Sequence, residues 1–459
     1  MNAFHAYDIR GVYGMDFTSE DVYKIGFFLP KLLGVKKMLV GRDARDSSPE
    51  IHQALLDGIC EAGTDVYDIG LSTTPQVYFA TAKHGFEASV QITASHNPGE
   101  YNGLKISRAQ AMPVGYDSGL NLLEAWIGAG NPVAERPIVP AAQCGQVIPF
   151  SVREEYIAFL RGYLGDYSNL NIGMDLSNGM ASLFMRDLLG DAPHYIFEEL
   201  DGSFPNHEPN PLVAENIKAL QALVTKERCD IGVIFDGDAD RVMFVDELGQ
   251  FISPDLMIAV LGHHFFEERG LRGPVLQDIR TSKAVGEYLA PWGAEVHTWR
   301  VGRAFAAPKL REIDGIFGGE LAGHYYFKEF FYSDSGIMAA LIILDVVSKM
   351  KVKGISVSQL IGGVASYHNS GEINYKIDKK REAMDAVREH FSSKEKPVAS
   401  YDFDGYRLEF PDWWFNIRPS NTEPYLRFIA EASSKELLQE KLRMVDKIVK
   451  SLCYTDNPR

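Results

Sequence analysis

Apolar and polar positions along this chain fall into blocks that recur. Met38-Leu39-Val40 is an apolar run that ends at Gly41-Arg42-Asp43, and after a helical stretch a second run begins at Gly63-Thr64-Asp65-Val66-Tyr67. The succession returns at Asn171-Ile172-Gly173-Met174-Asp175, again followed by a helical stretch and a strand. It returns once more at Val275-Leu276-Gln277-Asp278, with a helix through Leu289 and a run at Gly293-Ala294-Glu295-Val296. Short apolar runs bounded by turn residues predict strands, and their alternation with helices predicts α/β units. A repeat of about one hundred residues is the size of a domain, not of a solenoid unit. Three similar α/β domains in series are therefore expected.

From Ser366 onward the pattern changes. Glu372–Ile377, Tyr406–Phe410, Trp414–Ile417 and Tyr425–Ala432 read as strands, and Lys380–Phe391 reads as a helix. A last helix follows Ser433, with Glu436 placed for a capping box, and Leu438, Leu442, Val445, Ile448, Val449 and Leu452 form one apolar face. Strands grouped together between helices predict an α+β domain. The expected domains are 1–148, 149–250 and 251–365, all α/β, and 366–459, α+β.

Composition narrows the function classes. A chain of 459 residues exceeds a single core. Its net charge of −16 argues against nucleic acid or an anionic membrane as a general partner. The N-terminus shows no basic stretch followed by an apolar one, and the longest apolar run, Ile337 to Leu344, stops at Asp345, too short to cross a bilayer. Cys60, Cys144, Cys229 and Cys453 are widely spaced and match no metal pattern, which suits reduced thiols in a cytoplasmic protein.

Four segments carry chemistry. In Thr93-Ala94-Ser95-His96-Asn97-Pro98 a serine sits on a tight loop after a strand over 88–93, and Asn102-Gly103 is expected to turn the chain into a second strand over 104–107. Asp236-Gly237-Asp238-Ala239-Asp240-Arg241 lies between the strand-like runs Val233–Phe235 and Val242–Val245. Alternate side chains of an extended segment point the same way, so Asp236, Asp238 and Asp240 can converge on a hard cation such as Mg²⁺. An EF-hand, suggested by Glu247 at the twelfth position, is disfavoured by Arg241 at its sixth position, where glycine is required, and by Phe244 at its ninth, and a solvated acidic turn is the other alternative. Gly318-Gly319-Glu320-Leu321-Ala322-Gly323-His324 offers an acceptor and a second polar group suited to a vicinal diol, and Asp334 or Ser335 can cap the helix beyond it. Arg418-Pro419-Ser420-Asn421-Thr422-Glu423-Pro424 supplies a guanidinium fork with neutral donors, a set that suits a phosphate dianion. Taken singly, the last two segments also read as a structural loop and a capped turn.

In this order and at these separations the four segments, together with Ala6-Tyr7-Asp8-Ile9-Arg10-Gly11, resemble the α-D-phosphohexomutase superfamily, and within it the bacterial phosphomannomutase/phosphoglucomutase branch. The resemblance spans the whole chain. It implies three similar α/β domains with mixed sheets and a C-terminal α+β domain of the TATA-binding-protein-like type, heart-shaped around a central cleft. It implies that Ser95 carries a phosphoryl group and that Mg²⁺ lies between it and Asp236, Asp238 and Asp240. Arg241 would stabilise charge on the transferring group. Glu320 and His324 would hold sugar hydroxyls, and Arg418, Ser420, Asn421 and Thr422 the phosphate that does not react. Tyr7, Arg10, His96 and Lys105 would surround the serine, one basic group assisting proton transfer, while Arg280 and Arg303 add positive charge for the substrate. The implied reaction is the reversible interconversion of hexose 1-phosphate and hexose 6-phosphate, of mannose, glucose or both. It would run through a hexose 1,6-bisphosphate that also serves as activator. A phosphosugar is the implied partner, and the chain would be a monomer or weak homodimer.

The chain departs from the family pattern at four places. Ala322 stands where relatives often have serine, which removes a hydroxyl donor. Arg303 replaces a frequent histidine and adds a cation that cannot act as a base at neutral pH. Arg280 stands for a common lysine, and His5 for a usual basic residue. Two alternatives follow from the same residues: a phosphoglucosamine mutase, which shares the machinery, and a sugar-phosphate binding protein without catalysis. A metal-dependent phosphatase is disfavoured because no water-positioning group stands out.

Overall fold

The computed structural model describes residues 2–128, 143–420 and 425–453. Its first three sheets share one pattern, which we state as five strands, a to e, in the spatial order b-a-c-d-e. In the first domain these are Lys37–Arg42, Asp65–Leu71, Ala88–Ile92, Tyr101–Arg108 and, supplied from the N-terminus, Ile9–Val12. In the second they are Ile172–Asp175, His194–Ile196, Ile231–Phe235, Val242–Asp246 and Phe251–Ile252. In the third they are Gly273–Asp278, Ala294–Trp299, Phe317–Gly319, Tyr325–Phe327 and Ser333–Asp334. Each time b and c run parallel to a, d runs antiparallel to c, and e runs antiparallel to d. The sheets are thus mixed, as expected.

The repeat extends to the turn after strand a. Asp43 accepts the Arg45 amide at 3.1 Å, Asp175 the Ser177 amide at 2.8 Å, and Asp278 the Arg280 amide at 2.6 Å. An aspartate that bonds the backbone two residues on closes a tight turn at the C-terminal edge of the sheet. That edge is where ligands gather in open α/β sheets.

The fourth domain has an antiparallel sheet in the order His368–Asn369, Tyr425–Ala432, Trp413–Pro419, Tyr406–Glu409, Ala399–Tyr401. Ile373–Lys376 also pairs with Tyr425–Ala432. The helices Lys380–Ser392 and Lys435–Cys453 accompany it, an α+β arrangement. The apolar run at Ile337 belongs to the helix Gly336–Val352, buried along most of its length and capped by Ser335, whose side chain accepts the Met338 amide. No helix among the described residues is long and apolar enough to cross a membrane.

Two local expectations are corrected. Asn102-Gly103 is not a turn but lies inside the strand Tyr101–Arg108, opposite Gly11 and Arg10. Glycine is needed there because a Cβ on Gly103 would strike the Ile9 carbonyl, and Asn102 spends its amide on Ser47 and Ser48 at 2.9 and 3.0 Å. The last helix is capped by Ser434, which accepts the Leu437 amide at 3.2 Å, one residue beyond Ser433, whose amide is drawn to the Asp412 carbonyl.

The fourth domain docks on the third through Arg407. This guanidinium is fully buried and donates to the carbonyls of Ile279 and Thr281 at 2.9 and 2.6 Å, on either side of Arg280. It lies 3.8 Å over the Trp414 ring and is neutralised by Glu409 at 2.7 Å. Removing one partner of such a buried set costs about 3–5 kcal/mol. Calorimetry of Arg407→Leu is expected to show the fourth domain melting earlier and apart from the rest; one unshifted transition would contradict this docking.

Candidate active site

The three c–d connections of the repeated sheets are the three loops singled out in the sequence: 93–100, 236–241 and 320–324. One topological position, used three times, brings the serine, the carboxylates and the sugar-type loop together.

The serine loop is held from below. Arg45, 1% exposed, donates to the carbonyls of Ser95, Asn97, Pro98 and Tyr101 at 2.9, 2.6, 2.5 and 3.0 Å, and to Asp43 at 3.1 Å. Ser95 itself has φ 53°, a left-handed conformation that non-glycine residues seldom adopt and that clusters at functional sites. Its Oγ–H donates to Asp236 Oδ2 at 2.8 Å, and His96 Nδ1 lies 3.3 Å from the same Oγ. Burial, with Arg241, Arg10 and Lys105 around it, holds His96 well below its ordinary pKa, so the ring is neutral. Arg10 donates to Asn97 at 2.8 Å and to Asp8 at 2.5 Å.

Asp236, Asp238 and Asp240 are buried and offer ligand oxygens within 4.8 Å of one another. A Cβ on Gly237 between them would strike the Ser95 carbonyl, so glycine lets the two loops meet. Burial and the charges of Asp238 and Asp240 push Asp236 well above the carboxylate range. Lys105 answers part of the charge, reaching Asp238 at 2.6 Å and Asp240 at 2.5 Å. Burial opposes its ammonium, but the two carboxylates raise its pKa and keep it cationic. Thr74 donates to Asp238. Asp238 Oδ1 and Asp240 Oδ1 are buried without a hydrogen-bond partner. Converging oxygens, the mutual repulsion that raises Asp236 and unpartnered acceptors are what a hard divalent cation satisfies, so the residues fit a metal.

The third loop is stitched to the second by a backbone bridge between Arg241 and His324, and by the Val242 amide on the Gly323 carbonyl at 3.2 Å. Glu320 Oε1 is occupied by Tyr326 at 2.7 Å and the Gly302 amide at 3.2 Å. Glu320 Oε2 lies 3.8 Å from His324 Nδ1, which is buried and has no partner. The pair presents an acceptor beside a donor, the need of a vicinal diol. Burial and Arg241 oppose protonation of His324, yet Asp240 and Glu320 raise it to about 9.

A cavity of about 720 Å³ joins all four domains. Tyr7, Arg10, His96, Lys105, Asp240 and Arg241 line it, as do Arg280, Arg303, Glu320, His324, Arg418 and Ser420. Ser95, Asp236 and Asp238 lie deeper, each touching a lining residue. Arg418 is nearly buried and its Nε has no hydrogen-bond partner; burial and the facing Arg280 cation lower its pKa. Two guanidiniums that repel each other across a cavity form a seat for an anion. Arg280 is held by Asp278 at 2.7 Å. Asn421 and Thr422 lie outside the described residues. Arg303 faces the cavity but spends its donors on Asp334 at 3.0 Å and the Ala111 carbonyl at 2.7 Å, with its guanidinium 3.7 Å over the Tyr78 ring. It shapes the wall more than it offers a free fork.

Arg45 and Thr74 escaped the sequence reading, as did Arg427, which also lines the cavity, and Asp334 was read only as a possible helix cap, a role that Ser335 takes. For Arg45 a signal exists: Asp43-Ala44-Arg45 and Asp278-Ile279-Arg280 share one spacing after strand a.

Comparison with known proteins agrees with this geometry. Models of the phosphoglucomutase/phosphomannomutase domains match in order: alpha/beta/alpha domain I over residues 1–126, domain II over 154–249, domain III over 253–367, and the C-terminal domain over 372–448. A phosphomannomutase of Methanocaldococcus jannaschii is 32% identical across 98% of each chain. Phosphohexose mutases of Xanthomonas campestris are 35% identical, covering 95% of this chain and 96% of their own. A phosphoglucomutase/phosphomannomutase family protein of Burkholderia thailandensis superposes with a TM-score of 0.86 at 27% identity, covering 99% of this chain and 98% of that one.

The acidic triad makes a thermodynamic prediction. A divalent cation that binds only the folded state adds about 2.7 kcal/mol at a hundredfold excess over its Kd. Tm is expected to rise with added Mg²⁺. Asp236→Asn, which keeps the size of the side chain and removes a carboxyl that burial and its neighbours make costly to ionise, is expected to keep or raise the metal-free Tm and to lose the response. A wild-type Tm indifferent to divalent ions would contradict the site.

Proposed function

The chain belongs to the phosphoglucomutase/phosphomannomutase family and is a hexose-phosphate mutase, an intramolecular phosphotransferase, and we propose that Ser95 is its phosphoryl carrier. The observation behind this reading is the Ser95 Oγ–Asp236 Oδ2 contact of 2.8 Å, made by two c–d loops from different domains. It sets a hydroxyl in a strained loop against a carboxylate cluster.

In the first half-reaction the Ser95 Oγ–P bond breaks as the free hydroxyl of a hexose monophosphate forms its own O–P bond. The hydroxyl proton passes to neutral His96, 3.3 Å from Oγ, and from there to the departing Ser95 oxygen. In the second half-reaction the other phosphate of the bisphosphate is transferred back, Ser95 losing its proton by the same route in reverse. Lys105, kept cationic by its two carboxylates, is suited to attract the phosphoryl oxygens and not to accept a proton. Arg241 and Arg10, also on the cavity wall, add charge where it builds up. Mg²⁺, held by Asp236, Asp238, Asp240 and the phosphoseryl group, would supply further neutralisation of that charge.

Binding must accept either end of the sugar. Arg280, Arg418 and Ser420, with Asn421 and Thr422 beside them in sequence, would seat the phosphate that is not reacting. Glu320 and His324 would read two adjacent hydroxyls, leaving the C2 configuration unread, so mannose and glucose phosphates both fit. Hexose 1,6-bisphosphate would serve as intermediate and activator.

Ser95→Ala is expected to lower turnover of mannose 1-phosphate and glucose 1-phosphate by at least about three orders of magnitude in a coupled assay with Mg²⁺ and glucose 1,6-bisphosphate. Binding of the monophosphates should persist. Undiminished turnover would remove Ser95 from the reaction, and turnover of glucosamine 1-phosphate alone would replace the substrate reading.

A further inference from the structure

The turn aspartates of the three repeated sheets are answered differently. Asp43 holds the Arg45 guanidinium at 3.1 Å and Asp278 that of Arg280 at 2.7 Å, each two residues further along the chain. In the second domain that position is Ser177, which has no charge to offer. Asp175, fully buried, is met instead by His207 Nε2 at 3.1 Å, from a loop 32 residues away. The other ring nitrogen, Nδ1, lies 2.8 Å from the Glu208 carbonyl. A carboxylate and a carbonyl only accept hydrogen bonds, so both ring nitrogens donate and the ring is an imidazolium. Burial opposes that charge, while Asp175 raises the ring's pKa above its ordinary value. His207 therefore ties the Glu208 backbone to the rigid edge of the second sheet.

The loop so anchored, residues 202–213, is wedged between the serine loop and the metal loop. Its Phe204 ring lies 4.9 Å from the Arg45 guanidinium. A Cβ on Gly99 of the serine loop would lie 3.3 Å from the Gly202 carbonyl oxygen, and one on Gly237 of the metal loop 3.3 Å from Pro209. Asn206 donates to Asn178 at 2.8 Å, and Asn216 donates to the Asn210 carbonyl at 3.0 Å. Glu208, Asn210 and Leu212, none of them singled out in the sequence, line the cavity. Arg10, Lys105, Arg241, Arg280 and Arg418 make much of that cavity suited to phosphate. A carboxylate there repels phosphate and accepts from hydroxyls. Asn210 spends its Oδ1 on the Leu212 amide at 3.2 Å, so what it can offer a ligand is its NH2 group. An acceptor and a donor two residues apart suit the hydroxyls of a sugar.

We propose that loop 202–213 is a further sugar-binding element, in which Glu208 and Asn210 bond hexose hydroxyls and His207, held by Asp175, is the positioning residue that fixes Glu208. The inference rests on the phosphosugar reading of the cavity and deepens it. Glu320 and His324 meet the sugar from the third domain, and this loop meets it from the second. Hydroxyl-binding residues on two domains hold the sugar while neither competes with the cations for phosphate.

The test is calorimetric titration of the full-length protein, loaded with Mg²⁺ and freed of covalent phosphate, with glucose 1-phosphate and separately with inorganic phosphate. Glu208 is exposed, so Glu208→Ala leaves the fold intact. In that variant the Kd for glucose 1-phosphate is expected to rise at least about fivefold, the loss of one hydrogen bond to a charged group. The Kd for inorganic phosphate should stay the same or fall, because a negative charge leaves the cavity. His207→Gln should weaken glucose 1-phosphate to a similar extent. Combining it with Glu208→Ala should add little, because the histidine acts through the glutamate. An unchanged Kd for glucose 1-phosphate in Glu208→Ala would overturn the inference. Equal weakening of both ligands would do the same, since it marks a deformed cavity, as would single effects that multiply in the double variant. The titration involves no transfer, so its outcome stands whether or not Ser95 carries the phosphoryl group. Failure of the wild type to bind glucose 1-phosphate would remove the phosphosugar reading, and this inference with it.

Discussion

Mutual repulsion among Asp236, Asp238 and Asp240 is the constraint on which the site depends. Three carboxylates buried within 4.8 Å of one another are unfavourable in a low-dielectric interior. The protein answers with Lys105 from the first domain, Arg241 from the second and His324 from the third, and leaves two carboxylate oxygens unpartnered. Each carboxylate thus has a cation near it, yet two of the buried oxygens still accept no hydrogen bond. Those oxygens suit a divalent ion and, beside it, a phosphoryl group that draws on the same cations. Affinity and chemistry have one electrostatic origin.

Repetition of one topology makes that convergence possible. Each of the first three sheets presents the connection between its third and fourth strands at one edge, and each connection carries a different function: nucleophile, metal ligands, hydroxyl readers. Backbone contacts then lock the metal loop to two helix starts and to the third loop. The Thr74 amide bonds the Asp238 carbonyl at 3.1 Å, the Gly336 amide the Ala239 carbonyl at 3.2 Å, and the Arg241–His324 bridge joins the remaining edges. The fourth domain enters differently, through side chains. Arg407 clamps the turn that holds Arg280, so the two arginines that face the anion seat are positioned by one docking event.

Much of this was legible in the sequence because strand alternation and loop chemistry are local. The period-two spacing of the aspartates, the apolar runs on either side and the Asp-x-Arg turns are readable without tertiary contacts. The Asn102-Gly103 reading failed because the glycine answers a neighbour ninety residues away, the Ile9 backbone, and not a local turn. Arg45 was passed over for a related reason. Its Asp-x-Arg spacing marks a turn, but its role, satisfying four carbonyls of a distant loop, is tertiary and is not stated by that spacing. Arg303 read as a phosphate-binding cation, yet burial obliges it to pair with Asp334 and Ala111 first. Local chemistry states what a residue can do, and packing decides how much of that capacity is left for a ligand.

The central claim is that one serine, set against the acidic cluster, holds the phosphoryl group between the two halves of the reaction. The most direct measurement treats protein freed of covalent phosphate with one equivalent of glucose 1,6-bisphosphate, then reads intact mass and maps the modified peptide. The account predicts one phosphoryl group on Ser95, release of one equivalent of glucose monophosphate, and reversal on adding excess monophosphate. Inorganic phosphate as the product, or a phosphoryl group on any other residue, would contradict it.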